Sequence, residues 1–571
     1  MGTNRSSLLH KHYMPIQLLG FMLDRSEVHC RQAKEETLES AIDKPSSPGA
    51  SREPSLPPGI EKGKNLVGES YPQTVLDDAI VGWDGQHDPT NPRNFASIKK
   101  WTLLSFISAI TFLSPLASSI NAPGISIMDA EFHNTSTILS SFAVSVFVLG
   151  FSVWLPITDH FKSFHFISNA CTDEPIVCQI GPLLLSPLSE IYGRQPILNI
   201  ANSFLSVWQI GCALAPNINA LIAFRFFAGV GGSACLTIGG GIIADLFVVE
   251  QRGLATAMFS IGPLFGPVIG PIIGGFIAQR AGWRWVYWVL LCAAGTVTIG
   301  NIILNSETNH TVLMQRKTAK LRKELGRSDL RSAYDTDSKV RKPQDILLQG
   351  IFRPLRILFR SPILLFLAIY FAFVFGCMYL LFTTLSTLYI EVYHWEVELC
   401  GLAYIGLGMS FCLGLVVVAR TSDATVIRLT KANNNVYEPE MRLASSVLFA
   451  LFIPISFFWY GWTSDKHVHW IVPIIALVPF GFGMMGIFLP VQTYFIDAGG
   501  RYAASAIAGL TAFRCLFGAF LPLAGPSMYS TLGLGWGNSL LGFVALGLVP
   551  VPALIFKYGS TVRKRHPINL D

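Results

Sequence analysis

GPLFGPVIGPIIGG, residues 262–275, lies inside an apolar run from about Leu254 to Ala278. Gly262, Gly266, Gly270 and Gly274 recur every four residues and so share one face of a helix. A face without side chains lets a neighbouring helix approach closely. Between them, Pro263, Pro267 and Pro271 each remove a backbone donor and weaken the hydrogen-bond ladder. Such a helix breaks in water but persists when packed among others in a membrane. The stretch predicts a bendable, tightly packed helix inside a membrane bundle, which suits a transporter better than an enzyme.

The rest of the chain agrees. Of its 571 residues 51% are hydrophobic and only 14% charged, against about 25% charged in ordinary soluble domains. At about 20 apolar residues per crossing, twelve spans are predicted near 101–121, 137–188 (interrupted), 196–215, 218–245, 253–278, 283–304, 361–386, 398–419, 443–463, 468–496, 502–525 and 534–556. The expected organisation is a disordered tail over 1–98, six spans in 99–305, a polar loop over 306–360, six spans in 361–557 and a tail over 558–571. No cleavable signal is expected in the polar first 98 residues.

Lys and Arg concentrate in alternate loops, with thirteen in 306–360. The positive-inside rule then places both termini and the central loop in the cytosol. The sequon Asn134-Thr135-Ser136 falls in the first outward loop, as a glycosylation acceptor requires. The net charge of +6 is thus a topology signal and implies no nucleic-acid partner. The ten cysteines and twelve histidines show no metal-ligand spacing, and no cofactor is expected.

The halves carry a faint repeat. PLSEIYGR (187–194) follows the second span and ARTSDATVIR (419–428) the eighth, each placing an acid and an Arg in a short cytosolic turn. Repeated halves of this kind enclose a site near the bilayer midplane and rock around it.

Several motifs resemble one family. WDGQHDPTNPRNF (83–95) is similar to a signature before the first span, with Phe95 where Trp is usual. SPLSEIYGRQP (186–196) is similar to the loop between spans two and three, with Ser186 where Gly is commonest. RFFAGVGGS (225–233), the glycine-proline run, WYGWTSDKHVHWIVP (459–473), FLPVQTYFIDA (488–498) and FGAFLPLAGPSMYSTLGLGWGNSLL (517–541) follow in order. From about Asp77 to Arg565 the chain resembles the fungal-type, twelve-span drug:proton antiporters of the major facilitator superfamily. The resemblance implies an all-α polytopic membrane protein, two pseudo-symmetric six-helix bundles and alternating access.

Arg225 lies well inside the fourth span, where a charge costs at least ~2.5–3.5 kcal/mol on insertion scales. The family assigns this Arg to proton coupling, and Arg514 in span eleven invites the same argument. The bland alternative for Arg225 is that it bonds backbone carbonyls of a neighbouring helix. Glu190, Gly193, Arg194 and Asp245, with Arg252 as a weaker member, are expected in a cytosolic gating cluster. Arg420 and Asp423 would act likewise in the second half, where Ala424 and Ile427 replace usual basic residues. No Asp or Glu lies deep in any span, so proton coupling rests on the resemblance. Asp245 and Asp497 are the nearest acids. Asn121, Asn199, Asn202, Gln492 and Tyr494 are candidate cavity groups, each equally suited to helix–helix contact. Phe366, Phe371, Phe373 and Phe375 in span seven suit either the pocket or the lipid face, with the lipid face preferred.

The second span is interrupted by Val153–Gln179, which carries Asp159, His160, Lys162, His165, Asp173 and Glu174. Joining Ser152 to Ile180 gives GFSIGPLLLSPLSE, which resembles the family without a gap. Val is encoded GTN and Gln179 is compatible with CAG, the two ends of an intron. Thr172-Asp173 is compatible with a CTGAC branch site, and 27 residues correspond to 81 nucleotides, in phase. The segment reads as a retained intron; a genuine insertion would have to loop into water.

The expected protein is a plasma-membrane exporter of small hydrophobic compounds, driven by protons and acting as a monomer. Alternatives are a polyamine or nutrient carrier of the same fold, and a transporter-like sensor signalling through its tail. A membrane enzyme lacks any nucleophile–base or metal constellation.

Overall fold

The computed structural model describes residues 62–64, 70–151, 154–156, 177–179, 181–334 and 353–565. The expectations for 1–61, for most of the second-span insert and for 335–352 lie outside these residues. The side chain of Arg252, in the gating expectation, lies outside them too.

Nine helices among the described residues are long and apolar enough to cross a membrane, and the other three predicted spans are visible beside them. The second is split into Thr137–Gly150 and Gly181–Ile191. The third, Arg194–Ala213, carries Gln195, Asn199, Asn202 and Gln209 and is too polar to stand out. The eleventh and twelfth are two helices within Ala503–Leu548, parted by a kink at Gly533, whose φ of 72° suits a residue without a side chain.

The glycine-proline run lies in a helix unbroken from Val249 to Ala281, the fifth span. All four glycines face the backbone of the first span, Ser97–Ser119, and its end. A Cβ on Gly262 would stand 2.8 Å from Phe112 N, and one on Gly266 2.9 Å from Leu116 N. At Gly274 it would overlap the Ile120 carbonyl. The opposing wall is backbone and cannot rotate away, so Gly266→Leu is expected to cost at least about 1–3 kcal/mol of overpacking. The check is a lower melting temperature in detergent for Gly266→Leu, against no change for Gly295→Ala, which has open space.

Two boundaries differ from the sequence reading. ARTSDATVIR does not form a turn: the eighth span runs on through it as Ile405–Ala432. The stretch holds no Gly or Pro to stop a helix. The chain turns instead at Asn434 and Asn435, both with positive φ, which Asn tolerates better than other side chains.

The tail is not disordered throughout 1–98. Residues 71–95 form a strap on the helix His310–Leu325 of the central loop. Strand Ile80–Val81 pairs in parallel with Arg331–Ser332. Tyr71, Val81, Trp83, Met314 and Leu330 bury a small apolar core beneath it. The composition argument for disorder fails here because the strap borrows its core from a distant helix.

Candidate functional site

Chain alternation defines two faces. The terminal face carries the strap and Arg563; the opposite face carries Asn134.

On the terminal face, Gly193 (φ 112°) turns the chain into the third span. Arg194 Nε lies 3.4 Å from Asp245 Oδ2, and its Nη1 donates to Ser189 Oγ at 2.9 Å. The Arg194 amide, an unpaired donor at the helix start, donates to Glu307 Oε1 at 2.9 Å. Glu307 is buried and accepts the amides of Thr308 and Asn309 as well. A Cβ on Gly193 would collide with this carboxylate. The cluster therefore contains Arg194, Asp245 and Gly193 as expected, while Glu190 is exposed and forms no ion pair among the described residues. Glu307 takes the place given to Glu190. In sequence it is one acid after the sixth span, and its neighbour Asn309, which caps the next helix, was the available signal.

The second-half pair also needs correcting. Arg420 is exposed, and Arg442 takes its role, with Nη1 2.8 Å from Asp423 Oδ1 and Nε 3.2 Å from Asp497 Oδ2. Tyr437 also donates to Asp497. Arg194 begins the third span and Asp245 ends the fourth; Arg442 begins the ninth and Asp497 ends the tenth. The pairs Arg194–Asp245 and Arg442–Asp497 are the repeat that PLSEIYGR and ARTSDATVIR misplaced. The misreading follows from the helix running through 419–428, which moves the turn onward. Beside it, buried Glu440 holds Arg563 of the last helix through two bonds, 2.8 and 3.1 Å.

The motif 83–95 ties the strap to this cluster. Asp88 accepts the amides of Asp84 and Thr90 and the Thr90 hydroxyl, and Lys317 Nζ lies 3.7 Å away. Burial works to raise its carboxyl, but the Thr90 hydroxyl, the two amides and Lys317 outweigh it and hold it below the ordinary value. His310 packs edge-on against Trp83. Burial, aided by Arg93 and Arg194, pushes its imidazole down to about 4. A base held below its unfolded value contributes stability above about pH 6.5, lost as pH falls toward 4. Amide protection factors over residues 71–95, taken against the intrinsic exchange rate at each pH, are therefore expected to fall as pH drops across that window, and His310→Leu to flatten the response.

Arg225 is buried at 1% exposure. Its Nη2 donates to the carbonyls of Ser118 (2.9 Å), Ala117 (3.4 Å) and Val144 (3.4 Å), and its Nη1 to Tyr287 Oη (3.1 Å). Of the last carbonyls of the first span, Leu116 and Ser119 are met by the amides of Ile120 and Ala122. Arg225 covers the two between them, and its charge suits the negative end of that helix. Gly229, Gly231 and Gly232 of RFFAGVGGS let the same helix approach the second, third and first spans.

Arg514 sits mid-helix, 5.1 Å from the ring centre of Phe375 and 5.6 Å from that of Phe488. Phe371, Phe373 and Phe375 do not face lipid: Phe371 and Phe373 are buried, Phe375 is half-buried, and Phe366 alone of the four is exposed. Asn199 and Asn202 bond Asn301 and Thr298 of the sixth span, so they join two helices and do not line a cavity. Asn121 is buried against Met128, Tyr494 is buried beside Glu440, and Gln492 is half-buried. Asn134 Nδ2 is engaged by Asp129, Ser136 and Ser140, so a glycan would have to precede folding.

The bundles meet in the half nearest the Asn134 face. Ser118 bonds Tyr379 at 3.0 Å and Ser145 donates to the Ala519 carbonyl at 2.8 Å. A Cβ on Gly401 would lie 2.5 Å from the Pro271 carbonyl, and Arg280 pairs with Glu398 at 3.0 Å. Beside the fifth and eighth spans an apolar crevice of about 190 Å³ is lined by Leu264, Phe265, Gly408, Phe411, Cys412 and Leu415.

Twelve spans with paired charge clusters in repeated halves define a polytopic membrane transporter. The family model of the Major Facilitator Superfamily matches residues 107–522, and the chain belongs to that family. It is 45% identical to the MFS-type transporter penM of Penicillium rubens, covering 90% of this chain and 96% of that one. It is 42% identical to the MFS transporter cpaT of Aspergillus oryzae (89% and 96% covered) and 40% identical to the efflux pump radE of Floropilus chiversii (86% of each). Among solved structures, the xylose transporter XylE from E. coli matches with a TM-score of 0.56 at 16% identity, covering 81% of this chain and 98% of that one. A bacterial homologue of the lysosomal transporter Spinster matches with a TM-score of 0.56 at 14% identity, covering 84% and 100%. At these identities the structures speak to the fold alone.

Proposed function

We propose that this protein exports small hydrophobic or amphiphilic compounds, such as drugs, azoles or fungal secondary metabolites, in exchange for protons. It works as a monomer in the plasma membrane, with the terminal face in the cytosol. The observation that carries the reading is the contact between bundles on the Asn134 face, made by small residues and hydroxyls. Both buried-side ion pairs on the terminal face lie within one bundle. Such a molecule is closed outward and free to part on the cytosolic side, the loading state of an exporter. The similarity to the efflux pump radE of Floropilus chiversii supports the direction.

Arg225 acts in coupling through the carbonyls it holds at the end of the first span. Arg194–Asp245 and Arg442–Asp497 fix the span ends that move, with Glu307 and Glu440 anchoring the following segments. Asp245 and Asp497 are the acids placed to exchange protons with the cytosol. Gly193→Ala is expected to lower transport at least about fivefold, because it strains a positive-φ turn and displaces Glu307; initial efflux rates at matched surface expression check it.

In liposomes holding purified protein, an outward-directed proton gradient is expected to drive uptake of a radiolabelled azole. Uptake that ignores the gradient would replace antiport with facilitated diffusion. Deleting residues 1–70 spares the strap and separates pump from sensor: export survives in the first and not in the second.

A further inference from the structure

Two arginines stand inside the spans, and their surroundings differ. Both leave Nε buried without a partner, but Arg225 spends its Nη donors on three carbonyls and a phenol. Arg514 lies over the rings of Phe375 and Phe488, and among the described residues it meets the Cys515 thiol but no carboxylate or carbonyl. Its Nε is buried without a hydrogen-bond partner. Aromatic rings attract the charge but give its N–H groups no oxygen to bond, so these donors are left for another acceptor. The charge stands eleven residues from the start of the Ala503–Leu548 helix, about 16 Å along its axis and near the middle of a hydrocarbon core about 30 Å thick.

The neighbourhood is aromatic. Phe371 packs on Phe488 at 5.4 Å and Tyr379 on Phe375 at 5.3 Å. Tyr379 in turn reaches Ser118 of the other bundle, so the aromatic row ends where the bundles meet. A guanidinium stays charged at any pH a cell reaches, so Arg514 cannot itself pick up and release the coupled proton. What it offers is a fixed positive charge with free donors beside a flat apolar wall.

We infer that Arg514, with Phe375 and Phe488, forms an anion-binding subsite that takes the acidic group of an amphiphilic organic anion while the rings hold its apolar body. This deepens the exporter reading and rests on it, naming the class of cargo. A cargo that brings its own negative charge also fits spans with no Asp or Glu in their middle: the partner missing from the pathway is supplied by the substrate. A carboxylate accepts two parallel bonds from a guanidinium, an arrangement a neutral amide does not reproduce.

The test uses the full chain in liposomes and two probes of equal shape, 1-pyrenebutanoate and 1-pyrenebutanamide. The wild type is expected to move the butanoate faster. Arg514→Gln is expected to cut butanoate transport at least about tenfold, the loss of one charge-assisted contact, while amide transport stays within about twofold. Arg514→Lys restores part of the butanoate rate. Retained amide transport shows that the variant is folded, which separates lost recognition from misfolding. If both probes fall together in Arg514→Gln and Arg514→Lys, or if the wild type moves only the amide, the anion subsite is wrong and the exporter reading stands. A wild type that moves neither probe nor any azole removes both.

Discussion

Deleting residues 153–179 is expected to raise the yield of folded protein at least about threefold, the scale on which one or two kcal/mol changes abundance. The two pieces of the second span, Thr137–Gly150 and Gly181–Ile191, both pack on the fourth span. Together they are long enough for one crossing. Between them, strand Trp154–Pro156 pairs antiparallel with Val177–Gln179, with Trp154 opposite Gln179. Paired strand residues lie about 4.5–5.5 Å apart, against 3.8 Å for bonded neighbours. The insert thus leaves and re-enters the helix at almost one point, and its removal asks for little movement. What it removes is a segment with at least six ionisable groups set into the sequence of an apolar span. Fluorescence-detected size exclusion of the two forms makes the comparison, and amplification from mRNA tests the intron directly. Transcripts that uniformly hold the 81 nucleotides would sink that explanation.

Arg225→Leu is expected to abolish transport and lower the melting temperature. It strips donors from the carbonyls of Ala117, Ser118 and Val144 and from Tyr287, and each buried polar group left bare costs about 1–3 kcal/mol. Arg225→Lys keeps the charge, but an ammonium cannot span the carbonyls and the phenol at once. It is expected to recover most of the stability and little of the transport. Melting and efflux measured on the same preparations separate the roles: if lysine restores both equally, Arg225 serves as a charge and its fork geometry is irrelevant.

Much of this was legible in the chain. Gly262, Gly266, Gly270 and Gly274 were readable because a four-residue period has one structural meaning, and the structure turns all four toward the first span. Asp245 and Arg194 were readable from the ends of apolar runs. Arg442 and Glu307 were not, because partner choice depends on where a helix stops, and no Gly or Pro marks the end of the eighth span. The strap was hidden for a related reason: Trp83 and Val81 find their core in Met314 and Leu330, more than two hundred residues away. The amides Asn199 and Asn202 show the converse limit. Composition places them at membrane depth, but only helix rotation decides between a cavity and the sixth span. For Phe371 and Phe375, open between pocket and lipid face in the sequence, the preference for lipid fails on the same ground.

The most direct test is azole efflux from pump-deficient yeast expressing the 153–179-deleted form, with and without a protonophore. Proton-driven export predicts low retention that rises to the empty-vector level when the protonophore is added, and the same high retention in Arg225→Ala. Cells with the protein confirmed at their surface, yet retaining as much azole as empty-vector cells without protonophore, would contradict it.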